Sequence, residues 1–497
     1  RDGLVTGVQT CALPIWNWSQ GYYVRDQWQA TRNLTLTMGV RWEYYPMPTR
    51  ANRGMELYDL DANRMLIGGI GSVPTDVGVQ MSRKLFAPRV GIAYRAGSKW
   101  VFRSGFGINT DPYPLARPLR TNYPILISMT VPAANTFQYV GRTEDGIQPI
   151  VFPDLGDGRI AIPSSVTLRT LEKEFKRGYV ESFNFTVQRE LKFGFVGQAA
   201  YVGTRGIRQQ AYQELNWAEP GAGTAGRALN RAFGRTANTT LVTPFGTANY
   251  NALQAQLNRR FANGFQAQAS YTFSKAISYT DEADSSLFFN APSALARNRS
   301  IANYDRPHNL QAAWAAELPF GKGRRWAGQG GAAAAILGGW QVNGILSLYS
   351  GNPFTVTSAG TSLNAPGNSQ TADQIKPDVE ILGGTGPGQS YFDPLAFAPV
   401  TAVRFGNSGL NTLRGPGVVN LDLGLFREFT VTERVRIQFR AESFNVSNTP
   451  HFNNPGTNVS NLQLNAAGGV SALRGFSEIT SAQEDERQFR FGLRISF

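Results

Sequence analysis

The chain has 497 residues but only one cysteine, Cys11, and two histidines, His308 and His451. A single cysteine excludes an internal disulfide framework and a metal site built from several cysteines. Long apolar runs are also missing, because the longest, Ala332–Leu337, is bounded by glycines and falls far short of the roughly 18 residues that a transmembrane helix needs. These absences exclude a disulfide-stapled protein and a bundle of transmembrane helices.

Motifs for catalysis are equally scarce. His308 stands at the start of a predicted strand and His451 lies in a loop, so both are interpreted as hydrogen-bonding residues at the rim of a fold. Gly321-Lys322 lacks the Ser or Thr that follows in a phosphate-binding loop, and no glycine-rich dinucleotide motif opens a helix. The acidic stretch 281–284 could hold a cation, but its spacing matches no calcium-binding loop, and it is interpreted as an ordinary loop. We expect neither an enzyme nor a bound cofactor or metal.

The formal net charge at pH 7 is +13. A positive net charge is common among nucleic-acid-binding domains. The basic residues are nevertheless spread along the chain and form one cluster only, at 321–325. No nucleic-acid-binding module is recognisable around that cluster. We therefore expect no nucleic-acid partner.

Glycine and aromatic side chains are abundant, with 53 Gly, 31 Phe, 18 Tyr and 9 Trp. Apolar and polar residues alternate with a period of two in many segments, which is typical of strands with one apolar face. The alternation is clearest at 34–45, 265–274, 435–442 and 489–497. It predicts an all-β fold. It does not by itself separate a soluble sandwich, whose apolar face forms the core, from a membrane barrel, whose apolar face meets lipid.

The connections between strands separate these two folds. The alternation predicts thirteen long strands, near 22–31, 34–45, 86–95, 99–110, 178–191, 194–209, 250–261, 264–277, 307–318, 339–350, 418–430, 434–446 and 487–497. Short turns and long loops alternate between them, as in outer-membrane barrels, whose turns are periplasmic and whose loops are extracellular. The link 319–338 is longer than the other turns, and its alanine-rich stretch predicts a helical turn. Several long structureless loops would be unusual in a soluble domain, so we predict an antiparallel transmembrane β-barrel of the outer membrane.

The first residues do not resemble the rest of the chain. Residues 5–15 read as the translation of a common short-read sequencing adapter, whose last T fits the first base of the Trp16 codon TGG. The alternatives are a genuine irregular N-terminus or a signal peptide, but the segment lacks the apolar core of about 7–15 residues that a signal peptide needs. We expect residues 1–15 to be foreign to the gene and the natural N-terminal part to be missing. Bacterial single-chain barrels have even strand numbers, and the odd number of thirteen fits such a truncation.

Nine stretches that together span most of 22–497 carry a family resemblance: YYVRDQWQATRNLTLTMGVRWEYY, FAPRVGIAYR, YVESFNFTVQREL, YVGTRG, NYNALQAQLNRRFANGFQAQASYTFSKAI, ELPFGKGRRW, LGGWQVNGILSLYSGNPFTV, LRGPGVVNLDLGLFREFTVTERVRIQFRAESFNVSN and RQFRFGLRISF. In their order and spacing they resemble the C-terminal barrel half of TonB-dependent outer-membrane receptors, in particular the Oar-like group with an N-terminal carboxypeptidase-regulatory-like domain. The resemblance implies a barrel of 22 strands, of which the first strand here would be the tenth. Residues 16–497 would then be the C-terminal portion of that barrel. A TonB-box, a plug and a regulatory domain are not recognisable in this sequence.

Eight arginines fall on the polar side of the predicted strands. In a barrel lumen they could attract anionic solutes, or they could pair with a plug and with inward acids such as Glu43, Asp422 and Glu442. We favour pairing, because the planar guanidinium suits fixed polar contacts. The lumen-facing candidates are Arg41, Arg89, Arg103, Arg260, Arg436, Arg440, Arg490 and Arg494.

The last predicted strand ends on an aromatic residue and is apolar at every second position. It resembles the C-terminal sorting signal that the barrel assembly machinery of the outer membrane reads. An ordinary last strand with aromatics at the membrane interface would look the same, and the two interpretations are compatible. The apolar positions are Phe489, Phe491, Leu493, Ile495 and Phe497.

The function that the resemblance implies is energy-coupled uptake of a scarce solute across the outer membrane of a Gram-negative-type bacterium. The partners would be outer-membrane lipid, the barrel assembly machinery, an unidentified solute and, through the missing N-terminal part, the TonB complex. The alternative is a surface structural or adhesion protein that uses the barrel as a platform for its loops. The loops contain no recognisable code for a ligand.

Overall fold

The computed structural model describes residues 14–127, 144, 152–282, 285–483 and 486–497. Thirteen long strands form one antiparallel sheet in which each strand pairs with the next one along the chain. All thirteen predicted strands are confirmed, and only the sixth and seventh extend far beyond their predicted ends. The strands are β1 Gln20–Thr31, β2 Leu34–Tyr44, β3 Leu85–Ala96, β4 Trp100–Thr110, β5 Tyr179–Glu190, β6 Phe195–Glu214, β7 Thr239–Ala262, β8 Phe265–Ser278, β9 His308–Glu317, β10 Trp340–Tyr349, β11 Val418–Thr430, β12 Arg436–Phe444 and β13 Gln488–Ser496.

The pairing register gives the sheet one apolar and one polar face. Leu346 in β10 is paired with Ala312 in β9 and Leu421 in β11. The next residue along β10, Ser347, is paired with Gln311 and Asn420. Because successive side chains of a strand point to opposite faces, the same alternation continues through the other strands. Large apolar side chains on the apolar face are exposed, among them Phe86, Leu253 and Phe491.

The connections alternate between short turns and long loops, as predicted. The turns are 32–33, 97–99, 191–194, 263–264, 318–339 and 431–435, and the loops are 45–84, 111–178, 215–238, 279–307, 350–417 and 445–487. The long turn contains a helix, which confirms the expected helical turn. Among the described residues there are three α-helices, α1 Ala116–Leu119, α2 Ala228–Phe233 and α3 Gly331–Leu337. In the part of the chain that the structure describes, no helix is long and apolar enough to cross a membrane.

Strands β6 and β7 are longer than the sequence predicts, because their pairing continues above the sheet to Glu214 and Thr240. Two register shifts lie between Ile207 and Gln210, which is the irregularity of a β-bulge. The strand Leu168–Leu171 then adds to β7 in parallel. The sequence predicts a loop near 210–249, whereas Pro244 and the glycine at 246 belong to the strand, at a bulge that tolerates both.

The long loops are not structureless, which corrects the expectation from the sequence. They contain short strands, at Thr49–Arg50, Glu56–Asp59, Arg64–Ile67, Gln80–Met81, Arg159–Ile160, Leu168–Leu171, Glu174–Phe175, Ser300–Ile301, Pro353–Phe354, Asp373–Gln374, Phe397–Ala398, Leu413–Arg414, Gln463–Leu464 and Val470–Ala472. They also enclose buried apolar clusters. One pair of clusters joins the loops 45–84, 111–178 and 215–238 with the ends of β6 and β7. Another cluster joins the loops 350–417 and 445–487. We call this packed layer the loop cap.

The two edges of the sheet lie far apart in the sequence. Within the described residues, β1 pairs only with β2 and β13 only with β12. The barrel of 22 strands therefore stays a prediction. The prediction that residues 1–15 are foreign to the gene lies largely outside the described residues and also stays a prediction; Ile15 and Trp16 pair with Arg50 and Thr49.

Candidate functional site

Cavities span several neighbouring strands on the polar face of the sheet, from which we infer that this face is the concave one. A cavity of about 550 Å³ extends across β7 to β12 on this face, and its lining includes Asn258, Gln268, Asn343 and Glu442. A second cavity of about 450 Å³ crosses β1 to β3 and includes Arg41 on the same face. Concave curvature on the polar side and exposed apolar side chains on the convex side are the arrangement of a membrane barrel with a polar interior.

All eight candidate arginines lie on the polar face. The pairing places Arg89 opposite the glycine at 107, and Arg103 opposite Thr186. In the last two strands, Arg490 lies opposite Glu442, and Arg494 opposite Gln438. The candidates therefore share a face, but they form two separate groups, one in β2 to β4 and one in β12 and β13, with Arg260 alone at the turn end of β7.

Most of these arginines have polar partners on the same face. Three pair with carboxylates: Arg41 with Glu43 at 2.7 Å, Arg436 with Glu428 at 3.4 Å and Arg490 with Glu442 at 2.6 Å. Three donate to side-chain amides: Arg89 to Asn109, Arg103 to Gln188 at 2.7 Å and Arg440 to Gln438 at 2.8 Å. Two of the three inward acids named from the sequence, Glu43 and Glu442, are thus arginine partners. Such contacts favour the pairing interpretation, while exposure to a lumen stays a prediction.

Between the two groups the polar face is dominated by amides and hydroxyls. Ser347 donates to Gln311 at 2.7 Å, and the amide of Asn420 donates to Asp422 at 3.0 Å. Asp422 also accepts the backbone N–H of Asn445 at 2.8 Å, at the loop end of the strand. The third acid named from the sequence is therefore held by neutral donors. The concave face offers neutral hydrogen-bonding groups at its centre and cations at its two sides.

The loop cap above this face contains a buried ionic cluster that the sequence did not reveal. Arg50 binds Glu56 through two guanidinium nitrogens, at 2.9 and 2.6 Å, and the side chains of both are almost fully buried. Arg53 adds a second guanidinium at 2.5 Å from Glu56. Asn122 from the next loop donates to the backbone carbonyl of Glu56 at 2.9 Å. The cluster ties the loops 45–84 and 111–178 together.

A second link joins the loop cap to the sheet. The buried Asp305 accepts the backbone N–H of Ala276, in β8, at 2.6 Å. It also pairs with Arg414 of the loop 350–417, and Arg414 donates to the backbone carbonyl of Asp305 at 2.8 Å. Sequence reasoning quoted the stretch around Arg414 as part of the family resemblance but gave it no partner, since the two residues lie 109 positions apart.

Burial changes the acidity of groups in the loop cap. Burial raises the pKa of Asp281, and the backbone N–H of Asn303, 2.8 Å from its carboxylate, partly opposes the shift. Burial lowers the pKa of Arg235, while the nearby Tyr58 and Glu214 act in the opposite direction. Arg235 donates to the backbone carbonyl of Val166 at 2.6 Å and so fastens α2's loop to the loop 111–178.

The histidines have structural contacts in this fold. Nδ1 of His308 lies 2.8 Å from the hydroxyl of Tyr271, and its ring packs on Phe273. His451 is buried, with Nε2 3.2 Å from the carbonyl oxygen of Val419. Within the described ranges, no three His, Cys, Asp or Glu residues cluster in a way that could hold a metal ion.

The last strand has the face assignment that the sequence predicts. Phe489, Phe491, Leu493 and Ile495 are paired with Ser443, Ala441, Phe439 and Ile437 of β12, on the apolar face. These four side chains and Phe497 are all exposed. Their role as a sorting signal stays a prediction.

The fold and its two faces define a strand-built outer-membrane protein, and a comparison of families agrees. A family model described as an outer membrane beta barrel domain matches residues 6–490. The chain belongs to this family, and its location is the outer membrane of the cell. No curated protein sequence matches it.

Solved structures resemble the chain only distantly. One is the pyoverdine receptor FpvA of Pseudomonas aeruginosa, with 11% identity, a TM-score of 0.44, and coverage of 96% of this chain and 38% of that one. Another is the outer membrane transporter YddB of Escherichia coli, with 9% identity, a TM-score of 0.46, and coverage of 96% and 54%. A third is the ferric-catecholate import receptor Fiu of E. coli K12, with 11% identity, a TM-score of 0.41, and coverage of 96% and 44%. The chain thus spans about two fifths to half of the length of these proteins.

Proposed function

We propose that residues 16–497 are the C-terminal barrel portion of a TonB-dependent receptor of the Oar-like group, and that the complete protein takes up a scarce solute across the outer membrane. The observation that carries this proposal is the concave polar face, which is lined by amides and arginines, with packed loops at one end of its strands. A barrel that served only as a platform for loops would not need hydrogen-bonding groups along the whole length of its interior. The family resemblance of the nine quoted stretches adds the coupling to TonB.

In this mechanism the loop cap binds the solute on the outside. A plug domain, which the resemblance implies for the complete protein, closes the lumen and pairs with the inward arginines. A periplasmic partner that draws energy from the inner membrane moves the plug, and the solute passes along the polar face. Arg260 and Arg494 are the best candidates for contacts with the plug or solute, because the guanidinium group of neither forms a hydrogen bond or ion pair with another of the described residues.

Depletion of solutes from the growth medium tests this function without knowledge of the ligand. A strain with the complete gene and a strain without it are grown in the same medium, and mass spectrometry compares what each removes. We expect at least one solute to persist in the medium of the deletion strain, and we expect its uptake by the intact strain to stop when the proton-motive force is collapsed. Equal depletion by both strains would contradict the proposal.

The second candidate is an adhesion or structural protein, and the exposed, well-packed loop cap is the observation that favours it. In that case the deletion strain would lose attachment to surfaces or other cells while solute uptake stayed unchanged. Recovery of the upstream reading frame gives an independent check, because a plug and a TonB-box favour transport, and an adhesive domain without a plug favours adhesion.

A further inference from the structure

The turn 318–339 is unlike the other turns, and neither the barrel nor transport explains its features. It contains the only basic cluster recognised in the sequence, Lys322 to Arg325, and the helix α3. Its apolar side chains are exposed: Trp326 is 49% exposed, Ile336 65% and Leu337 48%. Exposed apolar groups next to clustered cations commonly mark a site of interaction with a membrane or another molecule.

We call the thirteen-stranded sheet the wall. The contacts of α3 show on which face of the wall it lies. Arg427 in β11 is paired with Trp340 in β10, on the apolar face. The guanidinium of Arg427 donates to the carbonyl oxygen of Ile336 at 2.9 Å and also to that of Ala335. The indole N–H of Trp340 donates to the same Ile336 oxygen at 2.9 Å. Both donors belong to the apolar face, so the C-terminal end of α3 is fastened to the convex side of the sheet, which a membrane barrel turns toward lipid.

Contacts between arginines and aromatic rings show where α3 lies along the length of the strands. The guanidinium of Arg427 lies over the rings of Trp340 and Phe429, at 5.4 and 4.4 Å. Other arginines on the apolar face stack in the same way near their turns: Arg189 over Trp100 at 4.6 Å, and Arg259 over Phe195 and Phe265 at 5.5 and 5.1 Å. Aromatic rings collect at the border between hydrocarbon and headgroups, and arginine near that border extends its charge toward the polar side. These pairs place the membrane interface at the turn end of the strands.

The cations of the turn have little compensation from the protein. Arg324 pairs with Glu317 at 2.5 Å. Lys322 and Arg325 have no ion pair with a carboxylate in the part of the chain that the structure describes. Arg325 instead lies 5.3 Å from the ring centre of Trp326, which brings a free positive charge to an exposed aromatic side chain. Basic side chains at a membrane surface attract anionic headgroups.

We propose that the turn 318–339 is a membrane anchor on the periplasmic side, which binds anionic phospholipid. Trp326, Ile336 and Leu337 enter the interface beside the wall, and Lys322 and Arg325 contact the headgroup phosphates. Lipid is the occupant that the structure favours, because the anchor adjoins the apolar, lipid-facing face of β10 and β11, two strands that are both paired on each side. The inference rests on the outer-membrane location and is independent of the proposed transport.

The test uses the full-length protein folded into lipid vesicles, with any native cysteine replaced by serine. An environment-sensitive nitrobenzoxadiazole label is attached to Ile336→Cys, and a matched control label to Ile375→Cys, which is 62% exposed in a loop at the other end of the strands. Quenchers are doxyl groups near the headgroup end of the lipid chains, and iodide in the water. We expect the label at position 336 to be quenched by the lipid-bound doxyl groups and protected from iodide, and the control to behave in the opposite way.

The charge requirement is tested in the same samples. The emission of the label at position 336 should shift to shorter wavelength when phosphatidylglycerol replaces part of the phosphatidylcholine. Combined Lys322→Gln and Arg325→Gln substitutions should remove that shift, whereas Lys192→Gln with Arg434→Gln, which removes two charges from other turns, should retain it. Heat-modifiable mobility on gels confirms that every variant compared is folded.

Three results would overturn the anchor. Iodide quenching of position 336 as strong as that of position 375 would mean that the helix lies in water. Protection from both quenchers would mean that a protein surface or a second copy of the chain covers it. Loss of the phosphatidylglycerol shift in the control pair, to the same extent as in the anchor variant, would show that the turn has no specific part in headgroup binding.

Discussion

The wall of the sheet and the loop cap place their apolar side chains in opposite surroundings. On the wall, Phe86 is 58% exposed, and in the loop 350–417, Phe392 is fully buried among Phe354, Phe397 and Phe476. The wall depends on lipid to cover its convex face, and its internal stability comes from paired backbone groups. The loop cap encloses its own apolar cores, as a water-soluble domain does. The chain therefore combines two regions that are stabilised in different ways. They are joined where β6 and β7 extend beyond the rest of the sheet.

The ion pairs of the two regions differ in the same way and give the largest expected effect. Glu56→Ala leaves Arg50 and Arg53 as uncompensated cations in the loop cap, and we expect a loss of about 3–5 kcal/mol in the local free energy of unfolding. Glu428→Ala on the wall removes a solvated partner of Arg436 and should cost less than about 1 kcal/mol. Hydrogen exchange measured by mass spectrometry on the folded protein gives the first value in the loop 45–84 and the second in the strands β11 and β12. If both variants lost the same local free energy of unfolding, the ion pairs of the loop cap and of the wall would not differ in strength.

Truncation of a phenylalanine sharpens the comparison of apolar groups. Phe392→Ala should lower the local stability of the loop cap by about 3–5 kcal/mol, because it leaves a cavity in a closed core. Phe86→Ala removes the same atoms from the convex face of β3, where lipid or detergent can fill the space, and it should leave the loops unchanged. Limited proteolysis of the loop 350–417 in the two variants is the measurement. Equal protection of that loop in both would indicate that its aromatic cluster contributes little.

Insertion of a charge tests which face of the wall meets lipid. Leu346→Arg places a cation on the apolar face near the middle of β10, and it should cost about 2–4 kcal/mol and reduce the amount of folded barrel in outer-membrane fractions. Ser347→Arg places the same side chain one residue further on the polar face and should be tolerated. The ratio of heat-modifiable to unfolded protein measures both. If Ser347→Arg were the more harmful substitution, the assignment of the apolar face to lipid would be wrong.

The difference between the wall and the loop cap also explains how much of the structure the sequence predicts. A strand that is lipid-covered on one side alternates between apolar and polar residues, so the position of each strand and the face of Arg440 or Phe491 follow from a period of two. Buried contacts in the loop cap have no period. The pairs Arg50–Glu56 and Asp305–Arg414 arise from the way in which separate loops pack, and no local pattern announces them. The extension of β7 was missed for a related reason, since Pro244 suggests a turn unless the bulge opposite is known.

The smallest expected effect concerns the acid sensitivity of the loop cap. Arg404 binds Asp373 through two nitrogens, at 2.8 and 2.6 Å, and this hydrogen-bonded pair holds the pKa of the Asp373 carboxyl below its ordinary value. A carboxyl whose pKa is lower in the folded than in the unfolded state stabilises the fold above its unfolded pKa of about 3.9, and that contribution is lost as the pH falls through the folded pKa.

Asp373→Asn should therefore destabilise the loop 350–417 at pH 7 by about 1 kcal/mol or less, since Arg404 is half exposed. The variant should also lose part of the increase in loop opening that the unmodified protein shows between pH 5 and the region below about pH 4. Asp378→Asn, at an exposed position of the same loop, is the matched control. Hydrogen exchange of this loop as a function of pH measures all three proteins. The same pH profile in Asp373→Asn as in the unmodified protein would contradict the role given to the pair. A profile changed equally by Asp378→Asn would assign the acid sensitivity to the general charge of the loop and not to the contact between Arg404 and Asp373.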